Sequence, residues 1–441
     1  MTVAADSAEM VKRKIRTIQD VVDWGLCIGC GACYSACRRG TVSLVNIEAV
    51  GIRPRFNTAQ CASCTDCLSI CPGYKVDGDL ETGALPKTSD ADHEFGPALE
   101  VWEGYASDPE IRFRASSGGI LTALALYCLE QERMEFVSHI GMDEERPWTN
   151  KTVQSRNRKE LLARTGSRYA PASPCDGLST IEKSDQPCVF IGKPCDTAAV
   201  AMLRRQRPEL DRKLGLVLTF FCAGTPSTRG TLDLVKSLDI DPETVHQVRY
   251  RGEGWPGRFK VIYGEPSQEK SYSYKESWGR LARGYRPLRC HLCPDGLGRV
   301  ADISCGDSWG KFNGNGDAGR SLVIVRTRRG QEILHRAMAA GYVELTRVDQ
   351  TDVLAAQSNL LARRKEIFGR LLARRLFLIP STQFSGFSLF RSWIRLSFPT
   401  KIKTIAGTIT RALQRGHWRR QPAFLKPMEP HNLPVSERLN P

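Results

Sequence analysis

Cys27-Ile-Gly-Cys30-Gly-Ala-Cys33-Tyr-Ser-Ala-Cys37 decides how this chain is read, because its spacing comes twice. Cys61-Ala-Ser-Cys64-Thr-Asp-Cys67-Leu-Ser-Ile-Cys71 repeats the C-x2-C-x2-C-x3-C pattern and is closed by Pro72. A 4Fe-4S cubane needs four thiolates around it. Two-residue gaps let three successive sulfurs of a tight loop face inward, and the fourth comes from elsewhere. Gly29 and Gly31 suit such a loop, since glycine lets the backbone wrap closely and aim N–H groups at sulfur. Zinc ribbons use two separated C-x2-C pairs instead of four-cysteine runs, so the spacing favours iron–sulfur clusters.

The two runs resemble those of bacterial-type two-cluster ferredoxins, in which the fourth cysteine of each run serves the other cluster. The resemblance implies Cys27, Cys30, Cys33 and Cys71 for one cluster and Cys61, Cys64, Cys67 and Cys37 for the other. Both would sit in a ferredoxin-like domain over residues 1–90. Arg38 stands where the pattern has proline, a cation expected to raise the nearby cluster's potential while leaving the ligand set intact. Two clusters with crossed ligands form a short wire, and a wire needs something at each end.

The wider composition agrees with an intracellular metalloprotein. The chain has 441 residues, 41% hydrophobic and 25% charged, enough for two to four domains at ~100–200 residues each. Its N-terminal MTVAADSAEMVKRKIRTIQD lacks the apolar run of a secretory signal, so a reducing cytoplasmic setting is expected. Sixteen cysteines there point to metal before disulfides. No stretch approaches the ~20 apolar residues of a membrane-spanning helix. The net charge of +15 is uneven: residues 361–426 hold fifteen Lys/Arg against the single acid Glu366. The remainder is almost neutral.

From about Glu100 the pattern becomes that of an α/β body. Arg114-Ala-Ser-Ser-Gly-Gly119 precedes ILTALALYCLEQE, an apolar run of helical length and spacing. A Ser-Ser-Gly-Gly turn at a helix start is a plain N-cap in most proteins and an anion cradle in some. Pro187-Cys-Val-Phe-Ile-Gly192 and Leu214-Gly-Leu-Val-Leu-Thr-Phe-Phe221 read as buried strands. Each is followed by a cysteine, Cys195 and Cys222, just beyond the carboxyl end where open α/β sheets hold their ligands. Cys290 and Cys293 supply a C-x2-C pair, making four thiols, enough for a third cluster. Cys128, Cys175, Cys188 and Cys305 read as buried structural thiols.

Ordered motifs from about Trp102 to Arg326 resemble the beta subunit of coenzyme F420-reducing hydrogenase and its relatives, 7-hydroxymethyl chlorophyll a reductase among them. They are Arg114 with Ser116, Ser117, Gly118 and Gly119; Gly166-Ser167-Arg168-Tyr169; Gly192-Lys193-Pro194-Cys195; Phe221-Cys222; Tyr250-Arg251-Gly252 with Gly254-Trp255-Pro256-Gly257; Cys290-x2-Cys293-x-Asp295; and Gly306-Asp307-x-Trp309-Gly310. The resemblance implies a flavoprotein fold carrying FAD and a 4Fe-4S cluster on Cys195, Cys222, Cys290 and Cys293. It places Arg114, Ser116, Ser117, Gly118, Gly119, Gly166, Ser167, Tyr169 and Asp307 at the flavin. Asp196 departs from the glutamine that relatives often carry. No catalytic acid is singled out; Asp302, Asp307, His291 and Tyr169 are candidates by location alone.

The expected architecture is α/β (α+β), in four parts: the ferredoxin-like domain over 1–90, two parts of a flavin-binding body over 91–180 and 181–355, and a basic helical tail over 356–441. In that tail Ile402, Ile405, Ile409 and Leu413 recur at helical spacing, with Lys403, Arg411 and Arg415 largely off the stripe. An anionic membrane surface (the inner face of the membrane) or an acidic partner would suit it, as would a role as a cap on the body. Nucleic acid is disfavoured, since no recognition motif accompanies the charge. The Pro-rich end, residues 421–441, is expected to be disordered. The expected function is an oxidoreductase passing electrons between the clusters and FAD, with ferredoxin or another redox subunit as donor or acceptor, to or from a small-molecule substrate such as coenzyme F420. The alternative is a non-catalytic electron-transfer subunit.

Overall fold

The computed structural model describes residues 13–56, 61, 64–81, 85–311, 316–422 and 433–436. In chain order the strands are β1 Val42–Ile47, β2 Gly51–Phe56, β3 Lys75–Asp77, β4 Glu100–Ala106, β5 Val137–Met142, β6 Asn150–Ser155, β7 Cys188–Gly192 and β8 Leu214–Phe220. They continue with β9 Val245–Arg249, β10 Arg258–Tyr263, β11 Gln268–Ser273, β12 Ile303–Asp307, β13 Ser321–Val325, β14 Val343–Arg347, β15 Gln383–Ser385 and β16 Leu433–Ser436.

The segments 91–180 and 181–355 share one eight-stranded sheet in the order β14-β4-β13-β12-β8-β7-β5-β6. Strands β5, β7, β8 and β12 pair in parallel, while β6 joins β5, and β13, β4 and β14 follow β12 in turn, through antiparallel pairings. The near-continuous apolar runs of β7 and β8 fit central strands covered on both faces. One face packs the helices Ile120–Glu130 and Arg328–Ala339 through Leu124, Cys128, Ile333 and Leu334. The other packs Leu178–Glu182 and Pro194–Arg204 through Leu178, Ile181, Ala199 and Val200. Between β8 and β12 the small sheet β11-β10-β9 forms its own core with the helices Thr228–Lys236 and Tyr274–Gly284.

The ferredoxin-like segment is built into this body. Ala32, Ala36 and Ile70 belong to the same apolar core as Ala199 and Val200. The first cysteine loop is docked through its backbone: Cys175 N–H donates to the Cys30 carbonyl at 3.0 Å. The Ser173 hydroxyl donates to the Gly29 carbonyl at 2.7 Å, and Ser35 donates to the Cys175 carbonyl at 2.6 Å. Gly31 has φ +85°, and a Cβ there would lie 2.8 Å from both Asp176 N and Ser173 O. Only glycine allows that approach.

The basic C-terminal segment is a packed cap, with the helices Ser358–Lys365, Ile367–Leu376, Leu389–Ile394 and Phe398–Gln414. Several of its cations turn inward. Arg364 is buried, donating to Glu94 Oε2 at 3.1 Å and the His93 carbonyl at 2.7 Å. Strand β15 pairs in parallel with β3, and Thr382 donates to the Gly73 carbonyl at 2.7 Å, so the cap also grips the ferredoxin-like segment.

The expected apolar stripe of the last helix is not its buried face. Thr404, Thr408 and Ala412 are buried instead, while Ile402 and Leu413 are 51% and 60% exposed. Small residues are what let this helix approach the helix that carries Gly369 and Ala373, since a Cβ on Gly369 would lie within 2.6 Å of Thr404 and Trp393 side-chain atoms. Most of residues 421–441 lie outside the described residues. Where the end is described, Leu433–Ser436 differs from the expected disorder and pairs antiparallel with β1. No helix among the described residues is long and apolar enough to cross a membrane.

Candidate functional site

The twelve motif cysteines fall into three sets of mutually close thiols. Cys33 feels the charges of Cys30, Cys27, Cys67 and Cys71, and Cys71 those of Cys30 and Cys27. Cys67 feels Cys37, Cys64 and Cys61. The crossed arrangement therefore appears in the fold: Cys71 reaches back to the first run, and Cys37 reaches forward to the second. Burial, reinforced by neighbouring thiols, pushes Cys33 and Cys71 well up and Cys67 up to about 12. Cys37 differs. Burial raises it, but the Thr41 hydroxyl and the N–H groups of Thr41, Arg39 and Gly40 outweigh that, leaving it lowered.

The third set lies at the carboxyl end of the parallel strands, as expected for an open α/β sheet. Pro194 opens a helix directly after β7, and Asp196 accepts from Lys193 N–H at 2.8 Å, fixing Cys195 in the first turn. Asp196 also pairs with Lys193 Nζ at 2.7 Å, which accounts for a carboxylate at a position where relatives often carry glutamine. Cys222 follows β8, and Cys290 and Cys293 come from the short helix Leu288–His291 and its exit. All four thiols line one cavity together with Ile28, Arg53, Lys193, Arg289 and Arg363. Burial pushes Cys195 well up and Cys222 to about 12, with Cys290 and Cys293 among the neighbours acting on Cys222.

This donor set fits iron–sulfur clusters. Several buried thiols facing one another cannot ionise together without positive charge among them, which iron ligation supplies. Backbone N–H groups already point at sulfur: Gly29 at Cys27, Gly73 and Tyr74 at Cys71, Gly224 at Cys222 and Thr225 at Cys290. Such bonds favour the ionised sulfur. The four body thiols line a cavity, which suits a multi-atom cluster. Cys305 is buried in β12 within the sheet core, raised by burial alone.

The other motifs meet in a cleft at the tip of β12. Asp307 accepts both Arg251 Nη groups at 2.8 Å and Trp255 Nε1 at 2.8 Å. The Arg251 guanidinium lies 4.5 Å from the Tyr274 ring centroid, and Tyr274 stacks on Trp309 at 5.6 Å and 12°. Trp255 and Trp309 lie 5.1 Å apart. These rings are half-buried, so the cleft has aromatic walls over a buried ion pair.

The turn before the helix Ile120–Glu130 joins the same region. Ser116 accepts from Ser167 N–H at 2.6 Å, and Ser117 shares a hydrogen bond with Ser321 at 2.9 Å. Gly118 N–H donates to Ser321, and a Cβ on Gly118 would lie 2.6 Å from the Gly104 carbonyl. Gly119, φ +82°, is the helix N-cap. Arg114 pairs with Glu110 at 3.1 Å, and its carbonyl accepts from Arg249. Gly166, φ +119°, lies against the Arg251 carbonyl. Tyr169 packs on Tyr250 and Trp278, and Arg168 donates to the carbonyls of Val248 and Pro147 at 2.7 Å each. The nine residues expected at a flavin are thus gathered, although Ser116, Ser117 and Asp307 spend their polar atoms on one another's segments. Stackable rings and a helix N-terminus fit a planar ring system with an anionic tail.

Two other candidates by location stand apart. Asp302 lies at the amino end of β12, bound to Val217 N–H, Thr327 and Arg329, far along the strand from the cleft. His291 follows Cys290 on the short helix, where burial first and then Arg286, Arg370 and Arg363 push it down to about 3. Cys175 went unread as a functional neighbour: its thiol lies against Cys30, so its burial is beside the first thiol set. Its Pro-flanked sequence carries no sign of that contact.

Crossed thiol runs on an α/β body define an iron–sulfur electron-transfer protein. Family models assign its parts: a 4Fe-4S dicluster domain matches residues 14–76. The N-terminal and C-terminal models of the coenzyme F420 hydrogenase/dehydrogenase beta subunit match 101–178 and 185–351. The chain belongs to that beta subunit family and carries the dicluster domain at its N-terminal side. It is 27% identical over 265 residues to the coenzyme F420 hydrogenase subunit beta of Methanosarcina barkeri, covering 59% of this chain and 85% of the relative. It is also 27% identical over 253 residues to the F420-dependent formate dehydrogenase 1 subunit beta of Methanococcus maripaludis, covering 56% of this chain and 61% of the relative. A chain of the F420-reducing [NiFe] hydrogenase complex from Methanosarcina barkeri shares the fold, with a TM-score of 0.51 and 23% identity over 66% of this chain and 97% of that one.

Proposed function

We propose that this protein is an iron–sulfur oxidoreductase that takes single electrons from ferredoxin or a redox partner subunit and delivers them to a flavin and a reducible organic substrate. A deazaflavin of the coenzyme F420 type is the favoured substrate, on the names of the relatives. The observation that carries the reading is the adjacency of the thiol sets. Cys64 is exposed, Cys27, Cys30 and Cys33 are buried, and the half-buried set of Cys195, Cys222, Cys290 and Cys293 lines a cavity walled partly by Ile28 of the first loop. Electrons would enter at Cys37, Cys61, Cys64 and Cys67, pass Cys27, Cys30, Cys33 and Cys71, and reach the body set. FAD, once bound, converts between single electrons and the electron pair of hydride chemistry. Trp255, Tyr274 and Trp309 would hold its ring by their outer faces, and the amides opening the helix Ile120–Glu130 would hold its phosphates.

Anaerobically purified protein should contain about twelve irons per chain, four for each cluster. It should also contain one flavin, and after dithionite reduction it should reduce a deazaflavin. Iron without flavin would sink the enzyme reading. That outcome would leave an electron-transfer subunit, a second reading favoured by the internal bonding of Ser116, Ser117 and Asp307.

The cap suggests a further partner. Phe390, Ile394, Phe398 and Ile402 recur every four residues and are 55%, 48%, 72% and 51% exposed. No Asp or Glu occurs between Ile367 and Met428, against twelve Lys/Arg. An apolar ridge amid cations suits an anionic membrane surface. Co-sedimentation is expected with vesicles containing anionic lipid at low salt, and not with zwitterionic vesicles. Equal pelleting with both, or with neither, would count against it and leave the ridge to a partner subunit.

A further inference from the structure

Two buried arginines stand between the inner N-terminal thiols and the body cavity, and neither has a carboxylate partner among the described residues. Arg289, 1% exposed, adjoins Cys290 and donates from Nη2 to the carbonyl of Pro72 at 3.0 Å, the residue after Cys71. Its Nε is buried with no hydrogen-bond partner among the described residues. Arg53, 3% exposed, donates to the carbonyls of Ile52 at 2.7 Å and Val50 at 3.1 Å. Its charge acts on Cys27, and its side chain lines the cavity of the body thiols. Arg53 thus acts on Cys27 from the wall of the body cavity, and Arg289 acts on Cys290 while bonded to the backbone beside Cys71.

Arg289 also lies over the Phe384 ring, 4.8 Å from its centroid, but burying a guanidinium without a carboxylate is unfavourable and is tolerated where negative charge is held nearby. The thiolates supply that charge, and every added electron increases it. Each guanidinium brings one delocalised positive charge to the gap between the two sets.

We propose that Arg53 and Arg289 are positioning residues for the electron step between the Cys27/Cys30/Cys33/Cys71 centre and the Cys195/Cys222/Cys290/Cys293 centre, fixed cations that stabilise the transferred charge on both sides of the gap. The proposal rests on the reading of those thiols as cluster ligands. In the step one centre loses one electron and the other gains it. No bond forms or breaks, and both guanidinium groups stay protonated. Neither arginine is among the strongest influences on Cys67, so the outer set with exposed Cys64 serves as an internal control.

The test uses the full chain, purified anaerobically, as wild type, Arg289→Gln, Arg53→Gln and Arg289→Lys, with iron content and redox titration followed by electron paramagnetic resonance. Both glutamine variants should keep wild-type iron while the midpoints of the two inner centres move to more negative potential and the outer centre stays put. Arg289→Lys should recover most of the shift. Unmoved midpoints at full iron content, or a shift that lysine fails to recover, would overturn the proposal. So would equal movement of all three centres. If Arg289→Gln does not fold, Arg53→Gln carries the same test. A wild-type content of about eight irons would instead remove the body centre; the inner N-terminal midpoint would still report on both arginines.

Discussion

Replacing Cys222 with alanine is expected to lower the iron content from about twelve atoms per chain to about eight, with both N-terminal centres still reducible by dithionite. Electron delivery to any acceptor in the cleft should fall to background. Cys222 is fixed by its place directly after β8, with Cys290 and Cys293 acting on it across the cavity. No other described cysteine can take over. Cys305 sits in the sheet core between β8 and β13, and Cys175 lies against Cys30. An iron assay with spin quantitation checks the result; an unchanged twelve irons would remove Cys222 from the ligand set. Cys67→Ala gives the mirror outcome, sparing the body centre and closing the entrance.

The second large effect concerns the cleft. Arg251→Met should cost about 3–5 kcal/mol, the usual price of leaving one partner of a buried ion pair alone. Arg251 is almost wholly buried, holds both Asp307 oxygens, and also donates from Nε to the Pro256 carbonyl at 2.8 Å. Its loss frees the loop 252–257 that carries Trp255, so flavin retention should fall with stability. Removing both charges, as Arg251→Met with Asp307→Leu, should recover part of the stability, because no lone charge then remains in the interior. Denaturant titration of the single and double variants measures the difference. A single variant as stable as wild type would mean the pair is not structural.

Spacing made much of this molecule legible. Four-cysteine runs are dictated by local geometry, so the thiols that gather in the fold are the ones the pattern names. Strands β7 and β8 were readable because central parallel strands must be apolar throughout, and the helix Ile120–Glu130 because its apolar run follows a Gly-Gly stop. Contacts between distant segments were not readable. Nothing beside Cys175 announces Cys30, and nothing beside Arg289 announces Pro72. The last helix misled for a different reason. Thr404, Thr408 and Ala412 carry little hydropathy, yet small side chains are what allow close helix approach, so the conspicuous isoleucines fell on its flank.

The pairing of β15 with β3 also sets an order of assembly. Gln383 lies opposite Lys75, so the strand that completes this part of the ferredoxin-like segment leaves the ribosome more than three hundred residues later. At ~5–20 residues per second that is a delay of roughly 15–60 s. Throughout that interval the cysteine runs are synthesised and accessible, but the cap that packs with Cys27 and Cys71 through Ile379 and Ala412 does not yet exist. Cluster insertion therefore has a natural window during translation, which closes when the C-terminal helices fold. A chain truncated before Ser358 should load iron readily and lose it readily to chelators, whereas the complete chain should resist both exchanges.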